Sequence, residues 1–515
     1  MSVGVTVMSL GLSLGLLLLR AIERWPKVAP QPVSGDQSTD VMYALYQAGH
    51  GLKLTGFWSW SIHSFYAGPL YMWSSVAGGK IGSGIGGGEW WFFGSYVLSM
   101  VLCVLALLYG VVAVYRSCGA RSGVAALLGV GYLTLYSRDT GGQILERGLL
   151  SNFWGPMMAT PMLLAAILCF VAYRRNGKFL GGVFLMTGLA FQVYGPVQIP
   201  ALVIAVTASL GSVKLIRVNG FGAMLRRERW AVAGAVLGWW PMVARLFTEG
   251  PSAFRVGGVQ WRSPGSYLSA LHEAGEGYAF TGISWIAGIV PLVVTVIALL
   301  VFFLKPAKRA EAVLAILFSA VAVALTVMKH QEDFGTHAAG WYTSLLLFSG
   351  IWFVVAGAAW IVDRVVPNRY GTWGAALIAM TVLGLTILPL TTSEPVQSPS
   401  ISNATEEVSA AMVRFASSIP EGPVNFVSEA NPDGAENLMS TVAMLGHEVC
   451  LISDSLNVIT PKTRPFMCGD GEFPDARTYA VRLDVEPTPP GEQEVLMLEM
   501  NQRGWRVTLL PAPSR

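Results

Sequence analysis

Charged residues are scarce in this chain of 515 residues: Asp, Glu, Lys and Arg make up only 13% of it, against about 25% in soluble domains. Hydrophobic residues make up 53%. A water-soluble fold could not bury so much apolar surface, so the composition excludes a soluble protein and predicts one that contacts membrane lipids. The formal net charge is only +3, and we expect no nucleic acid partner.

Apolar stretches long enough to cross about 30 Å of hydrocarbon recur through residue 392. The predicted fold is therefore mainly α, a polytopic transmembrane helical bundle of about 11 helices in a domain spanning 1–392. A cleaved signal peptide is the alternative for the first stretch, but that stretch lacks a basic start and a small-residue cleavage site before Arg20, so we predict a retained helix. The candidate spans are 3–20, 90–115, 121–137, 153–173, 179–196, 198–216, 230–248, 281–304, 310–328, 341–361 and 372–391.

Lysine and arginine accumulate in every second connection between these stretches. The basic connections lie at 116–121, 174–178, 214–229, 305–309 and 364–369. Because basic loops stay in the cytoplasm, the N-terminus is predicted inside and the C-terminal region outside. We expect a multi-pass protein of a bacterial cytoplasmic membrane.

The composition becomes polar after residue 392, where a Ser/Pro-rich linker begins. Strand-like and helix-like runs then alternate, which predicts a soluble α/β domain over 393–515 on the extracytoplasmic side. The predicted strands are 424–428, 448–452, 478–483, 494–498 and 505–510, and the predicted helices are 404–418 and 435–445.

Cysteine is rare as well, with five residues. Cys103 and Cys169 lie in apolar stretches and Cys118 in a cytoplasmic loop, which leaves Cys450 and Cys468 on the outer side. An oxidising compartment favours a disulfide between these two. A cysteine nucleophile or metal site is the alternative, but no spacing supports it.

An acidic pair, Asp36 and Asp40, follows the first apolar stretch in the first outer loop. Their spacing of four residues places them on one face of a helix, which Tyr43 and Gln47 continue. An ionised carboxylate there could take a proton from an attacking sugar hydroxyl, or it could hold a divalent cation through oxygen ligands. Helix capping and loop solvation remain the simpler alternative.

The segment 57–73 is dense in aromatic residues that also carry polar groups. Such residues suit a bilayer interface or stacking on sugar rings. An interfacial belt alone does not explain the acidic pair, His63 and the Gly68-Pro69 turn that accompany them.

This arrangement resembles the GT-C glycosyltransferases, polytopic enzymes that use polyprenyl-phosphate sugars. The likeness rests on a first transmembrane helix, an acidic outer loop, an amphipathic helix and an aromatic stretch containing His63 and Gly68-Pro69-Leu70-Tyr71. It covers the topology to about residue 390, and its motifs lie within 35–73. Within that superfamily the chain resembles bacterial proteins that carry His-Pro-Gly-Pro, whereas here four residues separate His63 from Gly68.

The resemblance implies a transferase whose catalytic base is Asp36 or Asp40, with Asp36 slightly favoured by its Gly-Asp context. The donor would be a polyprenyl-phosphate sugar and the acceptor an envelope glycan, lipid or protein. Arabinofuranose, mannose and an amino sugar are all compatible with the loops. A transporter or flippase of a lipid-linked substrate is the alternative, and a non-catalytic scaffold is a third.

The second outer loop places four charges between two apolar helices. Unpaired charge is costly there unless it lines a wet cavity. We assign Arg138 and Arg147 to the donor phosphate and Asp139 to the substrate-lining set. Two local ion pairs at the membrane surface are the alternative.

A third charged cluster, within 329–337, lies on the same face. Lys329 and His330 suit a phosphate, and Glu332, Asp333 and His337 are predicted to line the substrate. Their spacing matches no recognised zinc pattern, so no metal site is assigned.

Three further substrate-lining positions come from other segments. His63 and Tyr66 belong to the aromatic stretch, and Arg262 belongs to the loop 249–278, whose length is typical of a lid. We assign no cofactor, and the sequence does not decide whether a divalent cation is required. The glycine-rich run 82–88 mimics a nucleotide loop but follows no strand, so we expect a flexible hinge there.

Overall fold

A computed structural model describes about half of the chain. The described residues are 27–32, 35–56, 58–59, 64–65, 68–119, 123, 126, 155–193, 197–220, 222, 229–250, 300, 303–304, 406–428, 432–452, 464–468, 473, 476–483, 488–500 and 503–511. They fall into two compact units. The first unit contains the described residues of 66–68 and of Leu102–Gln397, and the second contains those of Arg24–Phe65, Pro69–Val101 and Ser398–Arg515.

The described elements are mostly helices, with strands concentrated near the C-terminus. The α-helices are α1 Gly35–His50, α2 Leu70–Gly86, α3 Trp91–Cys118, α4 Gly155–Asn176, α5 Leu180–Val193, α6 Gln198–Asn219, α7 Arg229–Glu249, α8 Glu406–Ser418 and α9 Pro432–Met444. The strands are β1 Trp58–Ser59, β2 Ser64–Phe65, β3 Val424–Val427, β4 Val449–Ile452, β5 Arg477–Leu483, β6 Gln493–Met500 and β7 Arg503–Leu509.

Five of the predicted membrane spans are helical, as α3 to α7. Among the described residues, the stretches Gly88–Cys118 and Arg229–Glu249 are long and apolar enough to cross a membrane. The other six predicted spans lie outside the described residues except for isolated positions. The count of about 11 helices and the transmembrane bundle therefore stay predictions.

Polar side chains join the helices of the first unit. Helix α5 packs against α4, α6 and α7. The Gln192 side chain on α5 donates to the Gly238 carbonyl on α7 at 2.5 Å, and the Tyr173 and Ser212 hydroxyls of α4 and α6 lie 3.1 Å apart. Hydrogen bonds of this kind between apolar helices are typical of membrane bundles.

The outward faces of α6 and α7 are apolar. On α6, the exposed residues Leu202, Val206, Leu210 and Val213 recur every three or four positions and form one stripe. On α7 the exposed side chains include Trp230, and Phe247 near the other end is 84% exposed. Such continuous apolar faces are unfavourable in water and are expected of helices that face lipid.

The glycine-rich run that we predicted to be a hinge is helical as far as Gly86, so the prediction is wrong. The glycines allow α2 to approach α3 closely. A Cβ added at Gly82 would lie 3.0 Å from Gly94 Cα, and one added at Gly78, just before the run, would lie 2.4 Å from the Gly94 carbonyl oxygen and 2.8 Å from Ser95 Cα. The missing side chains therefore serve helix packing, a role that composition alone does not distinguish from flexibility.

Replacing Gly78 by Ala is expected to destabilise the protein by about 1–3 kcal/mol, because the methyl group would force two backbones apart. Gly84 on the same helix is the matched control, since no atom lies within 4 Å of a Cβ built there. Gly84→Ala should stabilise the helix by about 0.5–1 kcal/mol through lower backbone entropy. Thermal unfolding of the two purified full-length variants measures both effects, and equal shifts would contradict the packing role.

The second unit contains a five-stranded sheet in the order β4-β3-β5-β7-β6. Strands β4, β3 and β5 are parallel, whereas β7 runs antiparallel to β5 and β6. Helix α9 connects the parallel strands β3 and β4. The predicted strands and helices of this region agree with the structure to within three residues at each end. The predicted membrane and extracytoplasmic domains stay predictions.

One hydrophobic core joins the sheet to α8 and α9. Phe426, Tyr479 and Trp505 from the sheet meet Phe415 of α8 and Leu438 of α9. Met42 of α1 is a fully buried member of the same core. The segment after the first apolar stretch is thus part of the compact unit that contains the sheet, which the sequence did not predict.

A disulfide joins Cys450 on β4 to Cys468, with the two Cα atoms 5.0 Å apart. The backbone N–H of Cys468 also donates to the Leu451 carbonyl at 3.1 Å. Together these bonds attach the 3₁₀ turn Arg464–Phe466 to the edge of the sheet.

A partly buried ion pair lies on the antiparallel half of the sheet. Arg482 donates two hydrogen bonds to the Glu492 carboxylate, one of them at 3.0 Å, and the Thr508 hydroxyl donates a third at 2.5 Å. Burial raises the pKa of Glu492, but the hydrogen bonds and the charge of Arg482 outweigh burial, and the pKa lies below its usual value.

Glu492→Gln is expected to destabilise the second unit by about 2 kcal/mol at pH 7, because it leaves Arg482 partly unpaired. A lowered carboxyl pKa stabilises the fold above the unfolded value of about 4.3, and this stabilisation disappears as the pH falls through the folded value. The difference in the free energy of unfolding between wild type and variant should therefore be constant near neutrality and shrink below about pH 4.3. Amide hydrogen exchange in β5 and β7 measures this free-energy difference. A difference that does not change with pH would contradict the lowered pKa of Glu492.

Candidate active site

Helix α1 carries the acidic pair that the sequence singled out. It runs from Gly35 to His50, so Asp36 and Asp40 lie one turn apart on one side, as the spacing predicted. The backbone of Asp36 lies in the first turn of this helix. Gly51 follows the helix with a φ of +94° and ends it in a conformation that glycine adopts readily.

Asp40 is a buried side chain, only 2% exposed. A solvating role in a surface loop is therefore wrong for this residue. Its neighbours on the same face, Tyr43 and Gln47, are buried too. Burying a carboxylate costs several kcal/mol unless its surroundings compensate, so helix amphipathicity alone does not account for an aspartate at this position.

The face of Asp40 is connected to the turn that follows the helix. The Gln47 side-chain oxygen accepts the Lys53 backbone N–H at 3.0 Å, and the Tyr43 and Thr55 hydroxyls lie 3.4 Å apart. The Lys53 carbonyl in turn accepts the Trp73 indole N–H of α2 at 2.9 Å. These bonds join α1 to the beginning of α2 within the second unit.

The aromatic stretch between these helices contains a short antiparallel hairpin. Strands β1 and β2 pair Trp58 with Phe65 and Ser59 with Ser64. Pro69 then precedes α2, whose first turn buries Tyr71. The Gly-Pro sequence therefore marks the start of a helix, with Pro69, which has no backbone N–H to satisfy, at the N-cap.

Most of the other predicted site residues lie outside the described residues. The side chain of Asp36 does too, although its backbone belongs to α1. The predictions for these positions therefore stand on the sequence alone. They are Arg138, Arg147, Lys329 and His330 for the phosphate, and His63, Tyr66, Asp139, Arg262, Glu332, Asp333 and His337 for the substrate.

No group of three or more His, Cys, Asp or Glu side chains that could hold a metal ion is found in the described part of the chain.

Two buried charged residues were missed by the sequence reasoning. Arg245 near the end of α7 is 4% exposed, and its Nε lies 2.8 Å from the Glu249 carboxylate. Its signal in the sequence was a cation inside a predicted membrane span. Glu436 on α9 is 6% exposed, and its position in a helix-like run of mixed polarity gave no comparable signal.

Comparison with known proteins gives a likeness at the level of the fold. The chain is similar to solved structures of ArnT from Cupriavidus metallidurans. The apo structure shares 15% identity at a TM-score of 0.46, and the structure bound to undecaprenyl phosphate shares 16% identity at a TM-score of 0.47. Each comparison covers 98% of both chains. At this identity and TM-score, the similarity assigns neither an activity nor a substrate to the present chain.

No protein-family model and no curated protein matches the sequence.

Proposed function

We propose that this protein is a membrane glycosyltransferase of the GT-C type. It moves a sugar from a polyprenyl-phosphate donor to an envelope glycan, lipid or protein on the outer face of the cytoplasmic membrane. The observation that carries the proposal is the buried carboxylate of Asp40, one turn from Asp36, on the helix that follows the first predicted span. The apolar outward faces of α6 and α7 support the membrane location.

The chemistry requires a base and a stabilised leaving group. The aspartate takes the proton of the acceptor hydroxyl while the oxygen of that hydroxyl bonds to the anomeric carbon. The bond from that carbon to the phosphate oxygen breaks, and the lipid phosphate leaves with the electron pair. Attack opposite the leaving group inverts the anomeric configuration.

Cationic side chains are needed where negative charge accumulates on the departing phosphate. We assign this role to Arg138, Arg147, Lys329 and His330, which the predicted topology places in outer loops. The second aspartate and the predicted substrate-lining residues would orient the sugar and its acceptor.

A donor panel tests this function directly. The purified full-length protein is incubated with undecaprenyl phosphates carrying pentose, hexose and amino-sugar groups and with membrane glycolipid acceptors. The choice of carrier follows the ligand of the C. metallidurans ArnT structure. We expect one donor class to be consumed, with undecaprenyl phosphate released and an inverted glycosidic bond formed. Failure with the whole panel, in protein that unfolds cooperatively, would count against the transferase.

A transporter or flippase of a lipid-linked substrate is the competing function. Two features of α7 favour it, namely the buried cation Arg245 and the proline at position 241 within the helix, because transporters use intramembrane charges and broken helices. Arg245 lies only four residues from the helix end, however, and is paired with Glu249. Proteoliposomes distinguish the functions, since a flippase changes the leaflet of a lipid-linked sugar without cleaving it.

A further inference from the structure

Helix α1 presents two faces, one that carries the acidic pair and one that contacts the C-terminal region. At about 100° per residue, Asp36, Asp40, Tyr43 and Gln47 cluster on one face, and Ser38, Met42 and Tyr46 cluster on another about 130° away. The members of the second set are spaced four residues apart, and each of them contacts residues C-terminal to position 405. We call it the docking face.

The contacts of the docking face are of three kinds. The Ser38 hydroxyl donates to the Asn437 side-chain oxygen on α9 at 2.5 Å. Met42 lies in the core beneath the sheet, and the Tyr46 ring meets Phe466 edge-on with centroids 6.4 Å apart. Before the helix, the Gln31 backbone N–H donates to the Ser409 hydroxyl of α8 at 3.2 Å.

The bond between Ser38 and Asn437 is buried at both ends. The Ser440 and Thr441 hydroxyls donate to the Asn437 backbone carbonyl, at 2.8 and 3.2 Å. These bonds stay within α9 and use the backbone carbonyl, whereas the Asn437 side-chain oxygen accepts the Ser38 hydroxyl. Losing either side chain leaves a buried polar group without this partner, which makes the bond effective in fixing the rotation of α1.

We propose that the C-terminal α/β region positions the catalytic helix, with Asn437 as a positioning residue that acts on Asp40 through Ser38. The inference rests on the proposed function, because it assumes that Asp40 or Asp36 is the base. Asp40 is two residues from Ser38 on the same helix, so rotation or translation of α1 on its docking face moves the carboxylate with it. The region would then control turnover without contacting the substrate.

The test uses Ser38→Ala, Asn437→Ala and the double variant of the full-length protein, with the donor identified by the panel. Displacing a catalytic group by about 1 Å costs up to about a hundredfold in rate. We expect kcat to fall about tenfold in each single variant, with KM for the donor and acceptor unchanged within about twofold. The kcat of the double variant should be no lower than that of either single variant, because both changes break the same bond.

Ser440→Ala is the matched control, since it also removes a fully buried hydroxyl from the same region but leaves the docking bond intact. It should lower stability with little effect on kcat. Hydrogen exchange across α1 should accelerate in Asn437→Ala and not in Ser440→Ala. This readout does not depend on the reaction.

The outcomes separate the two proposals. If Asp36 and Asp40 can both be replaced without loss of turnover, the transferase assignment to this helix fails. If those replacements abolish turnover while Ser38→Ala and Asn437→Ala retain normal kcat, the positioning inference is overturned and the base assignment stands. A raised acceptor KM at unchanged kcat would also overturn it, and would make the region an acceptor-binding module.

Discussion

Asp40→Asn is expected to lower kcat about a thousandfold while leaving the fold intact. Asparagine keeps the shape of the side chain but cannot accept the proton, and general-base catalysis contributes about 10²–10⁴ in rate. The KM for the donor should change little, because proton transfer occurs in the transition state. Release of the lipid phosphate from the donor that the panel identifies measures the effect in single-turnover experiments.

Glu436→Gln is the matched control for this change. It removes another carboxylate from the same unit, at 6% exposure against 2% for Asp40, so general costs of altering a buried acid appear in both variants. We expect it to retain turnover. Asp36→Asn is measured beside them, and a thousandfold loss there alone would assign the base to Asp36. Equal losses in Glu436→Gln and Asp40→Asn would contradict a specific role for the acidic pair.

Removing the disulfide is expected to have the second largest effect. The bond closes a loop of 18 residues, and a loop of this size stabilises the folded state by about 3 kcal/mol in the chain-entropy account. The Cys450→Ser/Cys468→Ser variant should therefore unfold at lower temperature. Because the bond secures the turn carrying Phe466, hydrogen exchange at the Tyr46 end of α1 should rise as well.

Thiol labelling gives the corresponding chemical check. Unfolded but unreduced wild-type protein should label at Cys103, Cys118 and Cys169, the free cysteines, and at five positions after reduction. Cys118→Ser is the control for a change of cysteine to serine away from the bond. Labelling of all five cysteines before reduction would contradict the disulfide.

The C-terminal secondary structure was predictable because its signals are local. Alternating side chains in segments such as 478–483 match the strand Arg477–Leu483, and the helix-like run 435–445 matches Pro432–Met444. Sequence period and turn residues carry this information over short distances. Helix ends were the least accurate, since fraying and capping depend on contacts that the pattern does not contain.

The docking of α1 was not predictable by the same means. The four-residue spacing predicted that Asp36 and Asp40 share a face, and the helix places them so. Nothing local indicates that Ser38 bonds to a residue 399 positions away, or that Met42 completes a distant core. The glycine run was misinterpreted for the related reason that its packing partner lies on another helix.

The insertion of Met42 into the sheet's core sets a parity rule for the topology. Given the predicted location of the sheet outside the membrane, two segments that share its core lie on the same side of the bilayer, and we expect an even number of crossings between His50 and Glu406. The predicted spans from 90–115 to 372–391 number ten and obey this rule. Any revised map that gains or loses a single crossing in this interval is incompatible with that shared core.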